Sequence, residues 1–146
     1  MKVKDCMCNN VTFLKPEATI ADCAKLMSSE HIGCVPVCDN NKKIVGIVTD
    51  RDLILRTIAC DKNATTTPLR DIMTTKVYYC SENDELNKAE STMSFEQIRR
   101  LPVVNDEKQI VGILTLGNLC ANQHVNTDNV GETLENICSC NRKNAE

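Results

Sequence analysis

Apolar residues fall into the same order twice along the chain. Ile20, Cys23, Ala24 and Met27 recur at helical spacing, and Thr19 just ahead of them is a good N-cap residue. In the second half Leu86, Ala89 and Met93 repeat the stripe, with Asp84 expected at the cap. Two β-rich runs follow each helix. The first copy has Cys34–Cys38 and Ile44–Thr49 around the turn Asp39-Asn40-Asn41-Lys42. The second has residues 101–105 and Ile110–Thr115 around Asp106-Glu107-Lys108. The later run of each copy is aliphatic apart from its Gly and terminal Thr, which predicts a strand buried on both faces. A short helix-like segment (4–7; 70–73) leads each copy into a strand starting at Val11 or Val77, and a helix closes each copy (50–60; 116–122). Each unit therefore reads βαββα.

The correspondence is a duplication in phase. Shifted by 66 residues, the chain matches itself without a gap. Asp5 falls on Asp71, Met7 on Met73, Met27 on Met93 and Leu53 on Leu119. Val35-Pro36-Val37 falls on Leu101-Pro102-Val103, and Ile44-Val45-Gly46-Ile47 on Ile110-Val111-Gly112-Ile113. Residues 3–56 and 69–122 share 16 identities in 54 positions, far above chance. The expected organisation is a first repeat at 2–60, a polar linker at 61–68, a second repeat at 69–122 and a polar C-terminal region at 123–146. That last region holds a helix near 128–138, and 141–146 is expected to fray. A unit of about 55 residues has a marginal core alone, which gives a physical reason for the tandem arrangement.

Composition narrows the function. Aromatics are only 3% of the chain, with no Trp, so the core is built from aliphatics and no base-stacking platform is expected. A net charge of −3 without a basic run argues against nucleic acid. The longest aliphatic runs are far short of a membrane span, and the start MKVKDCMCNN does not resemble a signal peptide, so a cytoplasmic protein is expected. Several of the ten cysteines sit inside apolar patterns, where they act as small hydrophobes, and reduced structural thiols are expected.

The tandem repeat, the VPV/LPV strands and the segments Gly46-Ile47-Val48-Thr49-Asp50-Arg51-Asp52-Leu53 and Gly112-Ile113-Leu114-Thr115-Leu116-Gly117-Asn118-Leu119 resemble CBS-domain pairs, or Bateman modules. The resemblance spans about residues 2–122. It implies an α/β (α+β) fold in which two βαββα repeats pack as a pseudo-two-fold pair with two clefts, often dimerised. It also implies a regulatory module that binds an adenosine ligand (AMP, ADP, ATP or S-adenosylmethionine), senses it and signals to a partner. No further cofactor is required, and a homodimer with an unnamed protein target is expected.

Residues take roles on that basis. Thr49 ends a strand and Asp52 lies one helical turn on, where a carboxylate can accept from both ribose hydroxyls or simply favour the positive end of the helix. Thr115 and Asn118 hold the equivalent positions, and the single amide oxygen of Asn118 predicts a weaker or retuned second site. The adenine slots would be lined by Val11, Thr12, Val35 and Pro36, and by Val77, Tyr78, Leu101 and Pro102. Phosphate candidates are His31, Arg51, Arg99 and Arg100, the last two where the family often places phosphate-binding residues.

Two other classes stay open. A ligand-independent dimerisation or interaction module would need no site. A cysteine-based redox or metal protein could use the C-x-C pairs Cys6-Met7-Cys8 and Cys138-Ser139-Cys140, though their spacing is tighter than usual for zinc. No catalytic or phosphate-loop motif is present, so neither catalytic residues nor metal ligands are assigned.

Overall fold

The structure, a computed structural model, describes residues 1–122 and 124–140. The expected frayed segment 141–146 lies outside them, as does the side chain of Cys140. The elements run α1 (Ile20–Glu30), β1 (Cys34–Cys38), β2 (Ile44–Thr49), α2 (Asp50–Leu53), β3 (Cys80–Ser81), α3 (Leu86–Glu96), β4 (Arg100–Val104), β5 (Ile110–Thr115), α4 (Leu116–Ala121) and α5 (Thr127–Cys140). Helices and small sheets alternate as an α+β fold, with β1 antiparallel to β2 and a three-stranded sheet in the order β3-β4-β5.

Two compact units result, and they do not follow the sequence repeats at their ends. One unit comprises residues 1–11, 78–107 and 111–146; the other comprises 12–77 and 108–110. Each leading segment thus completes the unit built on the other copy. The 3₁₀ turn Val3–Asp5 places Val3, with no exposed surface, in the core formed by Leu86, Met93, Leu101, Val103 and Leu114. The matching turn Leu69–Asp71 places Leu69 and Ile72 among Ile20, Cys23, Met27, Val35 and Val48. Burying each such aliphatic contributes about 1.5–3 kcal/mol.

The helices form where their stripes and caps fall. Thr19 Oγ1 accepts the Asp22 N–H at 3.2 Å, the Asp22 carboxylate returns the bond to the Thr19 N–H, and Ile20, Cys23 and Met27 turn inward. Ala24 lies on the exposed side, because small residues tolerate either environment. In α3 the buried stripe is Leu86, Ala89 and Met93, and Glu85 rather than Asp84 takes the cap position. Asp84 folds back instead to accept the Ser81 N–H at 3.0 Å and to pair with Lys88 at 2.9 Å.

Several elements differ from the sequence expectation. The leading strands do not start at Val11 and Val77. Pairing with the VPV and LPV strands begins at Leu14, which bridges Val37, and at Cys80, which pairs in parallel with Val103, because only there does the chain come alongside those strands. The strands β2 and β5 are not buried on both faces: buried and half-buried residues mix along β2 and alternate along β5, whereas β1 is buried throughout. The helix expected over 50–60 is regular only through Leu53 and continues as a wider π-type turn, Ile54–Ile58. The last helix, by contrast, is longer than expected and adds Val130 and Ile137 to one core.

Leu69 lies just after a polar linker, yet it is fully buried. Leu69→Ala is expected to cost about 2–5 kcal/mol, read as a lower midpoint in urea unfolding, because it opens a cavity in the core of the first copy. An exposed neighbour such as Arg70→Ala is expected to change the midpoint little.

Candidate functional site

Both copies build the same reciprocal cap where the strand β2 or β5 enters its helix. In the first copy the Asp52 N–H donates to Thr49 Oγ1 at 3.2 Å, and the Thr49 N–H donates to Asp52 Oδ2 at 2.9 Å. In the second, the Asn118 N–H donates to Thr115 Oγ1 at 3.0 Å, and the Thr115 N–H donates to Asn118 Oδ1 at 2.9 Å. Such boxes satisfy two of the orphan donors at a helix start, and they make a tight bend that turns the end of the strand toward solvent.

The two caps differ in what remains free. Asp52 keeps a second oxygen, Oδ1, held only by a long ion pair of 3.7 Å to Arg56 Nε. Its side chain is 16% exposed, so this acceptor is reachable but sheltered. In the second copy the Thr115 hydroxyl also donates to Asn118 Oδ1 at 2.9 Å, so that single oxygen already accepts two hydrogen bonds. Asn118 therefore offers donors from its amide where Asp52 offers an acceptor.

Arg56 is a residue that sequence reading passed over. Its guanidinium donates to the Ile72 carbonyl at 2.9 Å and to Thr74 Oγ1 at 3.1 Å while facing Asp52. It thereby ties the first cap to the exchanged segment 69–77. The spacing of four residues on one helical path was the available signal. The second copy has Asn122 at the matching position, without a charge.

The surroundings of the caps carry opposite charge. The Asp50 N–H donates to the Gly33 carbonyl at 3.0 Å, and the Leu116 N–H donates to the Arg99 carbonyl at 3.0 Å. The residues just before each VPV or LPV strand thus lie beside the cap of their own copy. In the first copy the Asp50 carboxylate sits over Gly33, so closely that a Cβ there would meet Asp50 Oδ2 at 3.1 Å. In the second copy the same place holds Leu116 and the exposed Arg99 and Arg100. Arg51 is exposed on the first turn of α2. His31 is exposed and ends α1 in the left-handed conformation at φ 53°, its N–H donating to the Met27 carbonyl. Gln97 ends α3 in the same way at φ 59°.

The apolar candidates divide between the units in a way the repeat does not show. Thr12 and Val77 fall in the unit that holds Val35 and Pro36; Val11 and Tyr78 fall in the unit that holds Leu101 and Pro102. Val35 and Leu101 have no exposed surface and are committed to their cores. Val11, Thr12, Val77 and Tyr78 are half-buried.

The buried thiols are held out of reactivity. Burial pushes Cys23 up to about 11, and Cys38 and Cys80 up to about 12. Cys6 is raised too, mainly by burial, and its thiol donates to the Asn118 carbonyl at 3.5 Å. Among the described residues no group of three or more His, Cys, Asp or Glu side chains could hold a metal ion.

Paired α+β repeats with matched Thr-x-x-Asp and Thr-x-x-Asn caps define a duplicated module. The chain belongs to the CBS domain family, matched at residues 3–57 and 69–124. It is 38% identical over 135 residues to the CBS domain-containing protein YhcV of Bacillus subtilis, covering 92% of this chain and 94% of that one. Among solved structures it is similar to the CBS domain pair of protein MJ0100 in complex with 5′-methylthioadenosine and S-adenosyl-L-methionine, at 28% identity and a TM-score of 0.72, covering 82% of this chain and 93% of that one. It is also similar to CBSX2 in complex with AMP, at 29% identity and a TM-score of 0.69, covering 80% of this chain and 91% of that one. No helix among the described residues is long and apolar enough to cross a membrane.

Two outcomes follow from this geometry. Thr115→Ala and Thr49→Ala are each expected to cost about 1 kcal/mol of stability, measured by denaturant unfolding, through loss of the cap. Alkylation with iodoacetamide at pH 8, followed by mass spectrometry, is expected to label exposed Cys8, Cys60, Cys120 and Cys138 first. Cys23, Cys38 and Cys80 are expected to stay unlabelled until denaturant is added.

Proposed function

We propose that this chain is a regulatory adenosine-ligand-binding module, with Thr49 and Asp52 holding the ribose in the first copy and Thr115 and Asn118 forming a weaker or differently tuned counterpart. The observation that carries this reading is the spare, sheltered Oδ1 of Asp52 beside the Thr49 cap. A carboxylate so placed can accept a hydroxyl of a ribose without breaking the cap, and charge-assisted bonds of this kind contribute about 1.5–3 kcal/mol. The AMP complex of CBSX2 and the S-adenosylmethionine complex of MJ0100 support the ligand class.

In one unit a base would lie against the half-buried Thr12 and Val77 beside the Val35-Pro36 strand, and in the other against Val11 and Tyr78 beside the Leu101-Pro102 strand, with backbone groups of those strands reading its edge. Arg99 and Arg100 are the favoured phosphate contacts, with Arg51 and His31 as further candidates. Asp50 and Asp52 make the first cap acidic, which favours a ligand with little phosphate there; the second cap, with Arg99 and Arg100, suits a phosphorylated one. The role is sensing rather than catalysis, in the cytoplasm, with the signal passed to a protein target.

A second reading, a ligand-independent interaction module, is favoured by one feature. Ile54, Leu55 and Ile58 are 55%, 47% and 71% exposed along the π-type turn, an apolar face suited to a second copy of the chain.

Isothermal titration calorimetry of the reduced protein against AMP, ADP, ATP and S-adenosylmethionine separates the two. Saturable micromolar binding of at least one is expected. Asp52→Asn is expected to weaken it roughly 10–100-fold while preserving the fold, since Asn118 makes the same cap with an amide. Absence of binding by all four, once co-purified nucleotide has been excluded, would favour the interaction module. Asn118→Ala is expected to matter less than Asp52→Asn.

A further inference from the structure

The α3 and α5 helices flank a groove of about 450 Å³ within one unit, and all of α5 lies beyond the residues matched to the CBS family. Glu90 lines it. This side chain is only 6% exposed, and its Oε1 is buried without a hydrogen-bond partner. Burial raises its carboxyl above the ordinary range. A buried carboxylate without a counter-ion is destabilising, and a cation held in the groove that Glu90 lines would offset part of that cost.

The wall chemistry says which kind. Among the described residues no Lys, Arg or His lines the groove, and Glu132 adds a second carboxylate. Of the cations close to this end of α3, Lys88 pairs with Asp84 at 2.9 Å and the Met1 amino group with Glu85 at 3.6 Å, while the exposed His124 borders a neighbouring recess that Glu90 also lines. The Ser91 hydroxyl donates to the Asn87 carbonyl at 2.8 Å, and the Thr133 hydroxyl donates to the Asn129 carbonyl at 2.8 Å. Both hydroxyl protons are therefore committed to their own helices, and what these groups can offer an occupant is lone pairs. Phe95, 82% exposed, lines the same groove and supplies an aromatic ring with which a cation can interact.

We propose that this groove is a binding site for a small organic cation bearing an ammonium or guanidinium group, with Glu90 as its anionic anchor, Glu132 as a second carboxylate and Phe95 as an aromatic contact. Such a ligand supplies N–H donors to a surface that presents acceptors, and it neutralises the buried carboxylate. Two carboxylates with hydroxyl and amide groups suit an organic cation better than a divalent metal, which needs a fuller oxygen shell. The site is separate from the Thr-x-x-Asp and Thr-x-x-Asn caps.

The test is calorimetric titration of the whole chain with agmatine and with spermidine, and with magnesium chloride in parallel. Saturable binding of agmatine or spermidine is expected, weakened at least about tenfold in Glu90→Gln and a few-fold in Phe95→Ala and Glu132→Gln. Glu90→Gln removes a buried charge without changing shape, and its melting temperature without ligand is expected to equal or exceed that of the unaltered chain. Should it fail to fold, the two exposed-side variants decide. The proposal is overturned by no saturable binding of either amine below about 10 mM. It is equally overturned by unchanged affinity in the folded variants, or by magnesium binding in place of the amines.

Discussion

The fold depends on two small apolar side chains that leave their own repeat. Val3 and Leu69 each sit at the head of one sequence copy and are buried in the core of the other. A repeat of this size has little apolar surface to bury, so losing one fully enclosed aliphatic is a large fraction of its stability. The glycines of the second strands mark where the exchanged segments pass. A Cβ on Gly112 would lie 2.8 Å from the Cys8 carbonyl, and one on Gly46 would overlap the Met73 sulfur. The Cys8–Ile113 and Ile47–Thr74 bridges then pin each segment to the strand it crosses. The duplication is thus built into the chemistry of the cores, and neither unit is assembled from one copy alone.

Within that scaffold the two caps are near copies in geometry and unlike in chemistry. Thr49 and Thr115 make equivalent bonds to the residue three positions on. A carboxylate at that position leaves an acceptor to spare, whereas an amide whose oxygen already takes two bonds does not. The charges beside the caps diverge in the same sense, with Asp50 against Gly33 in one copy and Arg99 beside Leu116 in the other. A duplicated module can hold its backbone constant and specialise each copy through three or four side chains. The helix α5 extends the asymmetry, since only one unit carries it and only that unit gains the Glu90 groove.

The sequence by itself determined the duplication, the helix stripes and the caps at Thr19, Thr49 and Thr115. Each is a local pattern: helical spacing at Ile20, Cys23 and Met27, and a hydroxyl three residues before an Asp or Asn at Thr49 and Thr115. The tertiary structure alone decided the exchange of Val3 and Leu69, the late start of pairing at Leu14 and Cys80, and the unpartnered oxygen of Glu90. These arise between segments more than about 20 residues apart, or between helices whose facing sides no periodicity specifies. Arg56 stands between the two cases: its spacing from Asp52 was legible, but its anchorage to Ile72 and Thr74 required the returning chain. Local hydrogen bonds and helical period are written in adjacent residues, while the choice of which core a segment enters is fixed only when the chain closes on itself.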